Sequence, residues 1–212
     1  MKRGAQAAAL QCRVAAVVLA AGLSRRMGAA NKLLAEIDGA PLVARCVDVV
    51  LASAARPVVV VTGHDAPRVR AALAGREVIF VENPEPAAGL AASLRTGVTA
   101  LGAPLDGALI CLGDMPWVRS DHIAALIAAF AASAERPICV PTHDGKRGNP
   151  VLWPARHFAA IAALTGDRGA RSLLDAHADE VCYVPVADPG VTLDVDTPEA
   201  LAALSATKDG SP

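Results

Sequence analysis

Aromatic residues, excess charge of either sign and long apolar runs are all scarce in this sequence, and each scarcity removes a class of function. Aromatic side chains make up 3% of the 212 residues, too few for the stacking platforms of a single-stranded nucleic-acid groove. The 20 Lys and Arg are matched by 21 Asp and Glu, for a formal net charge of −1. With no global basic field to hold a nucleic acid, any positive site has to be local. No stretch reaches the ~18 uninterrupted apolar residues of a membrane span. Cys12, Cys46, Cys111, Cys139 and Cys182 are odd in number, far apart and without a CxxC pair. Neither a zinc site nor a disulfide framework is indicated, and the expectation is buried, reduced thiols in a cytoplasmic protein. His64, His122, His143, His157 and His177 are scattered singly, without HExxH or a repeated spacing, and read as surface or structural residues.

Hydrophobic residues, many of them alanine, make up 53% of the chain and charged ones 19%. That balance favours helices packed around a sheet, and the length suits one domain over residues 1–212, with 1–13 and 205–212 expected to be flexible. The opening basic pair and apolar run are compatible with a signal peptide, but Arg13 interrupts the run, and the segment after it reads better as a first core strand. Short apolar runs rich in β-branched residues predict strands at Val14–Ala20, Pro57–Thr62, Glu77–Glu82, Gly107–Leu112 and Pro137–Pro141. Segments of helical period lie between them at Pro41–Ser53, Ala66–Leu73, Leu90–Leu101 and Ser120–Ser133, the last with Ser120 as the expected N-cap. Past residue 141 the rhythm loosens, with a further helix and a strand "VCYVPV". Alternation of strand and helix predicts an α/β fold with a mainly parallel sheet covered on both faces. Function then belongs at the carboxyl ends of the strands.

One loop leaves the first strand in that position. "LAAGLSRRMGAANK" lacks GK[ST], GxGxxG and a completed GxSxG, so it is no Walker A loop, dinucleotide fingerprint or nucleophile elbow. Its backbone can approach a ligand at Ala20, Ala21 and Gly22, and Arg26 and Lys32 are available to several phosphate oxygens, as at a nucleoside triphosphate site. The competing reading is a surface loop whose arginines are merely solvated. Asp114, in "CLGDMPWV", follows an apolar strand and precedes Pro116, so its carboxylate points into the same cleft and suits Mg²⁺. The plain alternative for it is a turn aspartate.

The stretch "LAAGLSRRMGAANKLL" resembles the LAAGxSxRMGxxNK signature of the MobA-like nucleotidyltransferases that finish the molybdenum cofactor, the cytidylyltransferases most closely. "NPEPAAGLAASLRTGV", "CLGDMPWV", "GNPVLW", "GDRGARSLL" and "LDVDTPEAL" recur in the order of that family. The resemblance implies a single-domain, doubly wound sheet of the nucleotidyltransferase, Rossmann-like type. It implies that Gly22, Arg26 and Lys32 bind the triphosphate, and that Ala20, Ala21, Gly89 and Ser93 lie near the base. It also implies Mg²⁺, replaceable by Mn²⁺, on Asp114 and Asp196, with Asp194 a weaker candidate. Arg26, Lys32 and Asp114 are the implied catalytic residues.

The implied reaction transfers CMP from CTP to the terminal phosphate of molybdopterin or the molybdenum cofactor and releases pyrophosphate. A molybdenum hydroxylase or its maturation chaperone is the implied recipient. Related guanylyltransferases usually carry LAGG where this chain has Ala21, which favours CTP. For the acceptor, "GKRGNP" with Arg147, Gly148, Asn149 and Pro150 and "GDRGAR" with Arg168 and Arg171 offer glycine turns beside cations. The family often has His at the place of Asn149, and Arg168 and Arg171 also fit a solvated helix start. A guanylyltransferase, another cytidylyltransferase with a phosphate acceptor, and a noncatalytic nucleotide-binding cofactor chaperone remain as rival readings.

Overall fold

Residues 12–22, 31–102, 104–166 and 169–195 are described in a computed structural model. The seven apolar residues Val14–Ala20 form strand β1, and every one of them is buried. In chain order the other strands are β2 (Glu36–Ile37), β3 (Ala40–Pro41), β4 (Val58–Thr62), β5 (Ile79–Glu82), β6 (Gly107–Leu112), β7 (Ile138–His143), β8 (Lys146–Arg147), β9 (Val151–Pro154) and β10 (Val181–Pro185). The helices are α1 (Leu42–Leu51), α2 (Ala66–Ala72), α3 (Leu90–Thr99), α4 (Ser120–Ala132), α5 (Phe158–Ala162) and α6 (Arg171–Ala176).

The main sheet runs β5-β4-β1-β6-β9-β7-β10, with β8 paired to β7, while β2 and β3 form a separate hairpin. β1 pairs in parallel with both neighbours, so that Val17 lies opposite Val59 on β4 and Ile110 on β6. β9 is antiparallel to β6 and to β7, and β8 is antiparallel to β7. The sheet is therefore mainly parallel, and the antiparallel insertion falls where the sequence rhythm loosens. From β1 the chain builds outward through β4 and β5 and then returns to β6 on the other side. This change of direction opens a crevice at the carboxyl ends of β1 and β6, the usual ligand position in a doubly wound sheet.

Strand period divides the core into two layers. Val14, Ala16, Val18 and Ala20 pack with Leu42, Val43 and Val47 of α1, Val69 of α2 and Ile123, Leu126 and Phe130 of α4. Val17 and Leu19 face the opposite way, toward Leu94 and Val98 of α3, Ile161 of α5 and Leu174 of α6. Burying each of the larger side chains contributes on the order of 1.5–3 kcal/mol, and this burial is the main force holding helices to sheet. Among the described residues no helix is long and apolar enough to cross a membrane.

The predicted cap of α4 shifts by one residue. Ser120 is the first residue of α4 and not its cap; the extended residue before the helix is Arg119, with φ −116° and ψ 162°. The Arg119 N–H donates to His122 Nδ1 at 3.2 Å, and the His122 N–H to Asp121 Oδ1 at 3.0 Å. The histidine at the third helical position thus reaches back to the N–H of the capping residue Arg119, and the Asp121 carboxylate takes the His122 N–H that a capping Ser120 side chain was expected to serve.

Candidate active site

After β1 the chain turns through Ala21, which is buried, and Gly22, which is exposed. The exits of the two neighbouring strands close on this turn. Gly63, just past β4, lies so near Ala21 that a Cβ there would stand 2.8 Å from the Ala21 carbonyl oxygen and 2.9 Å from its Cβ. On the other side the N–H of Gly113, just past β6, donates to the carbonyl of Leu19 at 3.0 Å. Three strand exits therefore meet at the floor of the crevice. Sequence reasoning passed over Gly63, although a glycine directly after the valine-rich strand Val58–Thr62 was the available signal.

Lys32 enters from a short 3₁₀ helix, Lys32–Leu34. Asn31 caps that turn through its side-chain oxygen, which accepts from the Leu33 N–H at 3.1 Å. The Asn31 amide nitrogen donates to Asp65 Oδ2 at 3.2 Å, and Arg68 pairs with the same carboxylate at 3.2 Å. Anchored in this way, Lys32 extends its Nζ to within 2.6 Å of Asp114 Oδ2. Only 13% of the lysine side chain and 19% of the aspartate side chain are exposed, so the pair is well shielded. Two residues that are 82 positions apart in the chain meet here at the carboxyl ends of β1 and β6.

The main chain of Asp114 is engaged as well, its carbonyl accepting from the Val195 N–H at 3.0 Å. The C-terminal run thereby passes directly beside Asp114, with Asp194 exposed one residue earlier. Asp196 and Arg26, expected as second metal ligand and triphosphate cation, lie outside the described residues, as do Arg25 and Arg168. Behind Asp114, burial and then the carboxylate's charge push the Cys46 thiol up to about 12, so it stays protonated and is no nucleophile.

The residues expected near the base line the other flank. Asn83 follows β5; its N–H donates to the carbonyl of Thr62 at 2.8 Å, and its side-chain amide to the buried Ser93 Oγ at 3.0 Å. Gly89, with φ +90° and ψ −174°, admits the chain to α3 in a conformation that a side chain would oppose. The Gly166 carbonyl accepts from the Ala91 N–H at 3.3 Å, and Gly169 packs on Leu90. This brings the loop that leads to Arg171, an exposed residue opening α6, against the start of α3.

On the β7 side Gly148 is buried against the backbone of Val191, and the Asn149 N–H donates to the Val191 carbonyl at 2.8 Å. Pro150, after a cis peptide bond, lies with Cys46, Cys111 and Met115 around a small void beneath the site. Gly148–Pro150 and Asp114 are thus tied to the same segment, 191–195. Upstream of it, Asp188 accepts from the Gly190 N–H at 3.0 Å, from His122 Nε2 at 2.9 Å and from Arg119 at 2.8 Å. The Gly190 N–H first, and then His122 and Arg119, hold its carboxyl below the usual range. Arg147 is committed elsewhere, to Asp175 at 2.8 Å and over the ring of Tyr183 on the edge strand β10.

Comparison with known proteins agrees with this architecture. Residues 16–181 match the MobA-like NTP transferase domain. The bifunctional protein GlmU of Sorangium cellulosum is 32% identical over 186 residues, 84% of this chain but 38% of that protein, so the chain spans little more than a third of this relative's length. The crystal structure of Rv0371c from Mycobacterium tuberculosis, 28% identical, superposes with a TM-score of 0.80 over 92% of this chain and 98% of its own. The same protein in complex with manganese gives a TM-score of 0.72 over 91% and 97% of the two chains. With residues 16–181 matched, well over half of its length, this chain belongs to the MobA-like NTP transferase family.

Proposed function

We propose that the chain transfers CMP from CTP to the terminal phosphate of molybdopterin or the molybdenum cofactor. The observation that carries the phosphate-handling part is the Lys32–Asp114 pair at 2.6 Å beside the Ala20–Gly22 turn. A shielded cation and a shielded carboxylate at one crevice are what a triphosphate and its divalent counter-ion require. Asp114 offers a hard oxygen donor suited to Mg²⁺ or Mn²⁺, and Asp196 would supply a second. The bound ion would neutralise phosphate charge and favour departure of pyrophosphate.

In the reaction an oxygen of the acceptor phosphate attacks the α-phosphorus of CTP, the bond to the bridging α–β oxygen breaks, and pyrophosphate leaves with that electron pair. No protein nucleophile is needed, because the acceptor already carries anionic oxygens near neutral pH. The chain's own work is alignment of two polyanions that repel each other in water. Lys32, released from Asp114, follows the triphosphate and stabilises charge that accumulates on the leaving group. Because Gly63 and Gly113 carry no Cβ, the neighbouring strand exits pack closely against the end of β1, and the backbone at Ala20–Gly22 would be the part of this turn offered to the nucleotide. Ala21, in place of the glycine usual in guanylyltransferases, supports CTP. The order of the sequence motifs supports the molybdopterin acceptor, with Gly148, Asn149, Pro150 and Arg171 around it.

The test is incubation with molybdenum cofactor, Mg²⁺ and either CTP or GTP, with products read by mass spectrometry. A cytidine dinucleotide form of the cofactor and pyrophosphate are expected. A guanosine product reassigns the base, and pyrophosphate formed only with another phosphate acceptor reassigns the acceptor. Nucleotide binding without turnover would instead favour a chaperone.

A further inference from the structure

We propose that His157, His177 and Glu180 form a zinc-binding site at the end of the sheet opposite the nucleotide crevice. Scattered in sequence, the two histidines are brought together by the fold. β9 is antiparallel to β6, with Pro154 opposite Gly107, so the chain leaving β9 emerges at the amino end of β6. Asp114 follows the carboxyl end of the same six-residue strand, which puts the two sites roughly 20 Å apart at ~3.3 Å per residue. His157 ends the short helix after β9, His177 follows α6, and Glu180 immediately precedes β10.

One ligating atom from each of the three side chains lies within 4.8 Å of the others. His157 Nε2 is 3.1 Å from Glu180 Oε2, and His177 Nδ1 is 2.8 Å from Oε1. Tetrahedral zinc, bound at about 2.0–2.1 Å, separates its nitrogen and oxygen ligands by about 3.4 Å. The two histidine–carboxylate separations lie within about 0.6 Å of that spacing. Two imidazoles and one carboxylate are a donor set that suits zinc.

The surroundings fix the ligands as well. Arg156 donates to Glu180 Oε2 from Nε at 3.0 Å and from Nη2 at 2.5 Å, and also to the carbonyls of Glu135 and Arg136. One carboxylate oxygen is thus oriented by the guanidinium, leaving Oε1, on the His177 side, for an ion. The ring of Trp153 meets His157 edge-on at 5.8 Å. His157 is buried, whereas 35% of the His177 side chain is exposed, so an ion enters from the His177 side and keeps a solvent position for water. Zinc bound there ties α6 and the start of β10 to the end of β9, far from the transfer chemistry.

The experiment titrates Zn²⁺ into chelator-stripped wild type, His177→Ala and Glu180→Gln by calorimetry, followed by thermal unfolding of each. The wild type is expected to bind one equivalent that each variant loses or binds at least tenfold more weakly. Zn²⁺ should raise the wild-type unfolding midpoint alone, and the Mg²⁺-dependent transfer rate of His177→Ala should stay at the wild-type value. Zinc X-ray absorption of the loaded wild type, which needs no variant, should show two imidazole ligands. No uptake by the wild type, equal uptake by all three proteins, or absorption without imidazole overturns the site and leaves a hydrogen-bonded clamp.

Discussion

Replacing Asp114 by Asn keeps the shape of the side chain and removes its charge, and so separates the carboxylate's two roles. In the folded protein the carboxylate meets Lys32 Nζ at 2.6 Å, with both side chains mostly shielded. At an effective dielectric constant of about 20 the gross attraction is ~6 kcal/mol, much of it cancelled by desolvation. A charged hydrogen bond of this kind leaves a net ~1.5–3 kcal/mol. The amide of Asn still accepts from Lys32, so the expected loss of stability is about 1–3 kcal/mol. For a chain of this size, that lowers the unfolding midpoint by roughly 3–10 °C. From the sequence alone, a clustered anion at a strand end is expected to strain the unliganded protein, so that its removal costs almost nothing; the lysine partner at 2.6 Å argues for the larger loss. In catalysis, losing one electrostatic stabiliser costs on the order of 10² to 10³ in rate. If Asp114 also holds the divalent ion, the variant needs more Mg²⁺ or Mn²⁺, and excess metal restores part of the rate. The assay is turnover against metal concentration for both proteins, with thermal unfolding alongside. A variant whose folded fraction turns over normally at wild-type metal demand would falsify the assignment and make Asp114 a turn residue paired with a lysine.

Lys32→Ala should weaken CTP binding and turnover together, by titration calorimetry and initial rates at moderate salt; unchanged values would remove the opening loop from the phosphate site. Ala21→Gly should raise the ratio of GTP to CTP activity, and a constant ratio would move base selection toward Gly89 and Ser93. Gly63→Ala drives a methyl group into the Ala21 backbone, and overpacking of this sort costs about 1–3 kcal/mol; nucleotide affinity should fall with stability, and denaturant unfolding at wild-type midpoint would show that the turn yields. Asp188 has a lowered pKa in the folded protein, so its contribution is full above the ordinary carboxylate range near ~4 and is lost as pH falls through the lowered value. Asp188→Asn should therefore flatten the acid limb of the stability curve, and an identical limb would refute the linkage.

Much of the fold is legible in local pattern because a strand buried on both faces must be apolar along its whole length. Val14–Ala20 and Gly107–Leu112 are bounded in the structure as the sequence predicts, and the ends of the other predicted strands and helices shift by two residues at most. The exit of β1 is marked in the sequence as a candidate site because a glycine turn and cations directly after such a strand have few structural uses. The strand order, the antiparallel placement of β9 and the meeting of Lys32 with Asp114 were not readable, since they depend on which strands become neighbours, and pairing between distant segments leaves no local period. The same holds for Gly63, whose small size matters only because β4 lies beside β1. His157 and His177, 20 positions apart, read as isolated residues along the chain. Residue type and spacing determined what each segment could become, while contacts between segments, set by core packing and sheet register, decided which charges and ligands ended up facing one another.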